Sequence, residues 1–198
     1  MEPRLVLYCG LRLEILSAFL DSMQPFIGKM KLKELDMQNL NTQAISAVVH
    51  FCDELQIDYV NICFLETIND IRLYLEIIQK VSPDRVMIFG LAQTEECFNF
   101  LLQVAEVVNE LEFAIDWTDQ RGILPTPKTP LPIIKEILSR KCKLLKLLGY
   151  KGPYYTISEI EEILQYIHHI EKRVYFKCFI IADEFDISIG EFNLETWG

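Results

Sequence analysis

The 198 residues carry a formal charge of −10 and are 51% apolar, enough to bury one core and too acidic for a surface that grips nucleic acid or anionic lipid all round. No apolar run approaches the ~20 residues of a bilayer span, and the amino terminus lacks the charged, apolar and cleavage-site order of a signal peptide. A soluble cytoplasmic or nuclear protein is expected, with a single repeat domain over residues 1–198.

Seven segments share a strand template of two apolar positions two apart and a third three further on. In chain order they are Val6/Tyr8/Leu11, Leu35/Met37/Leu40, Val60/Ile62/Leu65, Val86/Ile88/Leu91, Leu111/Phe113/Asp116, Leu145/Leu147/Tyr150 and Val174/Phe176/Phe179. Their first members are spaced by 29, 25, 26, 25, 34 and 29 residues, and only Asp116 breaks the third column. Period-two alternation puts each pair on one face of a strand and the residues between on the other.

Helical spacing fills the intervals. The stripes are Leu13, Leu16, Phe19 and Leu20; Ile45, Val48, Val49 and Cys52; Ile68, Ile71, Leu75 and Ile78; Phe98, Leu101, Leu102, Ala105 and Val108; and Ile160, Ile163, Leu164 and Ile167. Thr42, Thr67, Thr94, Thr129 and Thr156 sit in phase where an N-cap is wanted, since a Thr hydroxyl can accept from an unpaired first-turn amide. Thr156 with Glu159 fits a capping box, and Pro130 after Thr129 suits a first helical residue. Gly122, Pro125 and Pro127 interrupt regular structure, so residues 118–128 read as an excursion loop that accounts for the spacing of 34. The tail 183–198, with alternating Phe185, Ile187 and Ile189, reads as a terminal strand or hairpin that caps the stack. No matching cap is evident at the amino end.

One short strand plus one helix, recurring every 25 to 34 residues, is the pattern of a solenoid. Leu32-x-x-Leu35-x-Met37-x-x-Leu40 and Ile57-x-x-Val60-x-Ile62-x-x-Leu65 carry the pattern best, and they resemble the leucine-rich repeat superfamily, in particular its ribonuclease-inhibitor-like branch. The chain departs from that consensus in its first apolar column at Pro3, Pro83 and Glu171, and the Asn/Cys column is mostly Leu. Similar divergent repeats occur in F-box-associated regions, although this chain shows no F-box. The resemblance implies an α/β solenoid of about seven units, with a parallel sheet on the concave face used to recognise proteins.

That register assigns the concave face to three columns. They are Glu34, Tyr59, Arg85, Glu110, Leu144 and Arg173; Asp36, Asn61, Met87, Glu112, Lys146 and Tyr175; and Gln38, Cys63, Phe89, Ala114, Leu148 and Lys177. Apolar and aromatic residues clustered where a solvated sheet should be polar point to a protein-binding surface. The candidate contact residues are Tyr59, Asn61, Phe64, Arg85, Met87, Phe89, Glu110, Glu112, Lys146, Tyr175 and Lys177. The expected function is a non-catalytic scaffold, adaptor or inhibitor-type binder with a protein partner. The alternative is a constitutive subunit of a larger assembly such as a ribonucleoprotein, meeting RNA or an acidic partner through Arg140, Lys141, Lys143, Lys146 and Lys151.

The chemistry-bearing residues form no recognised motif. His168 and His169 are adjacent, hence about 100° apart on a helix, and cannot chelate as an i, i+4 pair would. Six cysteines (Cys9, Cys52, Cys63, Cys97, Cys142 and Cys178) show no C-x-x-C spacing and read as reduced core thiols. No Gly-rich phosphate loop is present. No metal, cofactor or small-molecule substrate is expected.

Overall fold

In the computed structural model, residues 4–8, 13–29, 31–38, 40–52, 55–64, 71–115, 129–147, 154–170, 173–181 and 188–196 are described. The chain is α/β, and strand follows helix almost throughout. The strands are β1 (Arg4–Tyr8), β2 (Lys31–Gln38), β3 (Gln56–Cys63), β4 (Arg85–Leu91), β5 (Glu110–Ile115), β6 (Leu144–Leu147), β7 (Tyr154–Thr156), β8 (Arg173–Ile181) and β9 (Ser188–Thr196). The helices are α1 (Leu13–Met23), continued by a 3-10 turn at Gln24–Lys29, then α2 (Thr42–Phe51), α3 (Ile71–Val81), α4 (Glu95–Val107), α5 (Leu131–Ser139) and α6 (Ile157–His168).

Each of β1 to β5 pairs in parallel with the next strand in the chain, and β6 pairs in parallel with β8. Crossovers of one hand, stepping one way along a sheet, leave all their helices on one face. Accordingly each helix packs against the next, from α1 through α6. The apolar pairs Leu35/Met37, Val60/Ile62, Val86/Ile88 and Leu111/Phe113 align across the strands and point into a core shared with the helices. Ile88, with no exposed surface, contributes about 2–3 kcal/mol by burial alone.

The last parallel step is broken. β9 runs antiparallel along β8 from Val174 to Ile181, which occupies one edge of that strand. A strand has two edges, so β6 (against Arg173–Phe176) and β7 (against Phe179–Ile181) share the other. They form one interrupted strand position, with residues 148–153 between them outside the described residues.

Helix starts follow side-chain chemistry, with two departures from the Thr pattern. Thr94 Oγ1 accepts from the Cys97 amide at 3.2 Å. Thr156 and Glu159 complete the capping box at 3.2 and 3.0 Å. At α2 the cap is Asn41, whose Oδ1 accepts from the Ala44 amide at 2.9 Å, so Thr42 is the first helical residue instead. At α5 the cap position is Pro130, which has no side-chain bond to offer. Thr129 is buried, and its carbonyl accepts from the Tyr155 hydroxyl at 3.1 Å. Thr67 and the 118–128 loop lie outside the described residues.

Two devices tie units to the ones before them. The turns ahead of β4, β5 and β6 extend the ladder: the Asp84 amide donates to Asp58 O, the Asn109 amide to Asp84 O and the Lys143 amide to Asn109 O. Tyrosine hydroxyls then reach back to carbonyls of the preceding unit: Tyr74 to Leu40, Tyr155 to Thr129 and Tyr166 to Lys135. A buried ring thereby fills core volume while its one polar atom is satisfied.

The first unit differs from its expected register. Leu5 and Leu7 align with Leu35 and Met37, whereas Val6 and Tyr8 align with Asp36 and Gln38. A slip of one residue exchanges the faces of a strand, so Leu5, not Val6, packs on the core.

Candidate binding face

The face of the sheet on which no helix packs among the described residues is assembled by register. Glu34, Tyr59, Arg85, Glu110, Leu144 and Arg173 are successive partners across the strands, as are Asp36, Asn61, Met87, Glu112, Lys146 and Tyr175. Gln38, Cys63, Phe89 and Ala114 form the third row. Lys177 lies on β8 opposite Asn193 of β9, and Leu148 lies outside the described residues. Neighbouring strands are about 4.8 Å apart, so successive residues of a row are neighbours across the sheet.

Arg85 is the hub. Its guanidinium lies 4.9 Å from the centre of the Tyr59 ring. Nη2 donates to Glu112 Oε2 at 2.6 Å, and Nε stands 4.0 Å from Glu110 Oε2. The Tyr59 hydroxyl donates to Met87 Sδ at 3.1 Å. A long, rotamer-rich side chain is thus held by a ring on one side and carboxylates on the other, which removes much of the entropy that ordering it on binding would cost. Tyr59, Arg85, Met87 and Phe89 are all half-buried. Together they make a firm, partly apolar patch rather than a mobile fringe.

Electrostatics fix the protonation of this patch. Burial, reinforced by the charges of Glu112, Glu34 and Asp36 and opposed by Arg85, pushes the Tyr59 phenol up to about 12. Burial and then the Asp36 charge push the Cys63 thiol up. Burial works against the Arg85 charge, yet the bond to Glu112, that residue's charge and those of Tyr59 and Glu110 raise its pKa further. Both the phenol and the thiol stay protonated at neutral pH, the opposite of what an activated nucleophile needs. Asn61 Oδ1 is shielded from solvent and accepts no hydrogen bond among the described residues, an unmet acceptor in the middle row.

Two expected contact residues play other parts. Phe64 is not on this face: it is 3% exposed, belongs to the core and meets Tyr74 edge-on at 4.9 Å. The strand has ended at Cys63, and its alternation no longer holds one residue later. Glu112, at 7% exposure, is a support for Arg85 more than a surface contact. Asn61 and Glu110 are half-buried beside the patch, and Lys146, Tyr175 and Lys177 occupy register positions beyond it.

Elsewhere, the basic cluster is partly neutralised. Arg140 pairs with Glu106 and with Glu136, and Lys141 Nζ donates to the Val107 carbonyl at 2.8 Å. Lys143 is exposed, and Lys151 lies outside the described residues. An open groove of about 420 Å³ runs between α3 and α4, floored by Ile71, Leu75 and Phe100. Among the described residues Cys52, Cys97 and Cys142 are buried free thiols and Cys63 a half-buried one. Comparison of the chain with protein-family models, with curated proteins and with solved structures returned no match.

Proposed function

We propose that this chain is a non-catalytic protein-interaction module, a leucine-rich-repeat-like solenoid that recognises a protein partner through the helix-free, concave face of its strands. The observation that carries this reading is the patch in which Tyr59, Arg85, Met87 and Phe89 stand side by side, half-buried and held by contacts within the sheet. Tyr, Arg and Met are the residue types enriched at the centres of protein interfaces, where rigid anchors carry most of the binding energy. Glu110 on one flank and Glu34 on the other supply the polar rim such a centre needs.

The test is affinity capture from native lysate with wild type beside Phe89→Asp, read by cross-linking mass spectrometry. A stoichiometric protein that cross-links to β3–β5 and is lost with Phe89→Asp is the expected result. Absence of any protein partner in both samples would sink the reading.

A further inference from the structure

Carboxylates border the strand-face patch on both sides. Register places Glu34 beside Tyr59 and Asp36 beside Asn61 at one flank, and Glu110 beside Arg85 and Glu112 beside Met87 at the other. Arg85 is engaged by the second pair, at 2.6 Å from Glu112 and 4.0 Å from Glu110. On β1, Arg4 stands in register with Glu34 and Val6 with Asp36. From β1 to β5 these rows hold two arginines against four carboxylates.

The β2 flank is where that excess faces the patch. Asp36 is only 3% exposed, and Gln38 Nε2 donates to its Oδ2 at 3.4 Å. A carboxylate shielded from water keeps more of its field than an exposed one. Its neighbours feel that field. Beyond burial, and against Arg85, the charges of Glu112, Glu34 and Asp36 raise the Tyr59 phenol. Beyond burial, the charge of Asp36 raises the Cys63 thiol. Asn61, between Asp36 and Met87 in the same row, adds an acceptor and no positive charge. The cations further along the rows are distant. Lys146 of β6 lies four strands from β2 and Arg173 of β8 five. At about 4.8 Å per strand the nearer is roughly 19 Å away, about two Debye lengths at physiological salt.

The patch therefore pairs an apolar platform of Tyr59, Met87 and Phe89 with a negative flank in the same rows. The chain's net charge of −10 draws in partners of the opposite sign. We propose that the protein partner presents a lysine or arginine next to a large apolar residue. The apolar residue lies on Met87 and Phe89, and the cation lies over β2 and β3 beside Glu34 and Asn61. This rests on the strand-face reading above and names the chemistry of its partner.

The test selects short random peptides by phage display on the full chain and measures their affinity by fluorescence anisotropy. Selected peptides should carry Lys or Arg next to Phe, Leu, Trp or Met, and Phe89→Asp should weaken them about tenfold. Replacing the peptide's basic residue by Gln should weaken binding to wild type about tenfold, and far less in the Glu34→Gln, Asp36→Asn double variant. The salt dependence of binding should flatten in that variant as well. Should the double variant fail to fold, Glu34→Gln alone, at a half-buried position, carries the same comparison. Binders that need Phe89 but carry no basic residue would overturn the inference and leave the strand-face reading in place. So would a basic residue whose loss weakens wild type and variant equally. Binders indifferent to Phe89→Asp, or no binders at all, would overturn both.

Discussion

The two faces of the sheet are built from alternate residues of the same strands, yet they are held by different forces. On the helix side Val60, Ile62, Val86 and Ile88 are without exposed surface and pack on helices. On the other, Tyr59, Arg85 and Met87 are half-buried and are held by a cation–ring contact, an ion pair of Arg85 with Glu112 and a hydroxyl–sulfur bond. The first face is stabilised by area removed from water, the second by geometry among polar groups. Stability should reside mainly in the first and recognition in the second.

The largest effect is expected where a charge enters the first face. Ile88→Asp buries an unpaired carboxylate and should cost about 4 kcal/mol or more, enough to abolish a cooperative melt. A variant with near wild-type thermal unfolding would show the two faces to be exchanged. Next comes Gly90, which joins the faces. Its φ is +75°, and an added Cβ would stand 1.9 Å from the Phe64 carbonyl oxygen. It lies at the irregularity where pairing with β5 shifts between Phe89 and Leu91. Gly90→Ala should cost about 2–3 kcal/mol in denaturant unfolding; a neutral result would mean that the backbone there relaxes freely.

A pH titration sharpens the contrast. Tyr74, in the core, and Tyr59, on the open face, are both pushed up to about 12 from an ordinary value of 10.0. For Tyr74 the cause is burial, opposed by its bond to the Leu40 carbonyl and aided by Cys63. Above pH 10 the unfolded chain loses these protons first, so the folded state binds more of them and stability falls as pH rises from 10 through 12. Urea midpoints between pH 9 and 11.5 should therefore drop less steeply in Tyr59→Phe and in Tyr74→Phe than in wild type. Parallel curves for all three would remove both phenols from the account. The smallest effect on stability is expected for Phe89→Asp, within about 1 kcal/mol because the side chain is half-buried, with loss of partner capture as its only large consequence.

Much of this was legible in the order of residues, for a definable reason. Polar and charged residues interrupt the apolar pairs of β2, β3 and β5, so period two has a phase. With Val86/Ile88 of β4 at the same repeat interval, the rows Glu34–Tyr59–Arg85–Glu110 and Asp36–Asn61–Met87–Glu112 follow directly. In β1 the run Leu5-Val6-Leu7-Tyr8 is apolar at every position, and alternation cannot choose between two phases. Capping is ambiguous for a similar reason, because Asn41 and Thr42 are adjacent residues that can each cap. The Arg85 contacts join residues 26 and 27 apart, and no local pattern states which of several carboxylates an arginine will meet. Gly90 is a single glycine in a strand. Its need for a positive φ becomes visible only once Phe64 has been placed beside it.

The strictly sequential pairing of the strands has a kinetic meaning. No parallel partners lie more than 34 residues apart along the chain, so each closure is a short search and its entropic cost is modest. During synthesis each strand can therefore be received by one already in place, and the sheet can grow in the order of translation. β9, synthesised after β8, pairs antiparallel along the edge of β8 that β6 and β7 do not use.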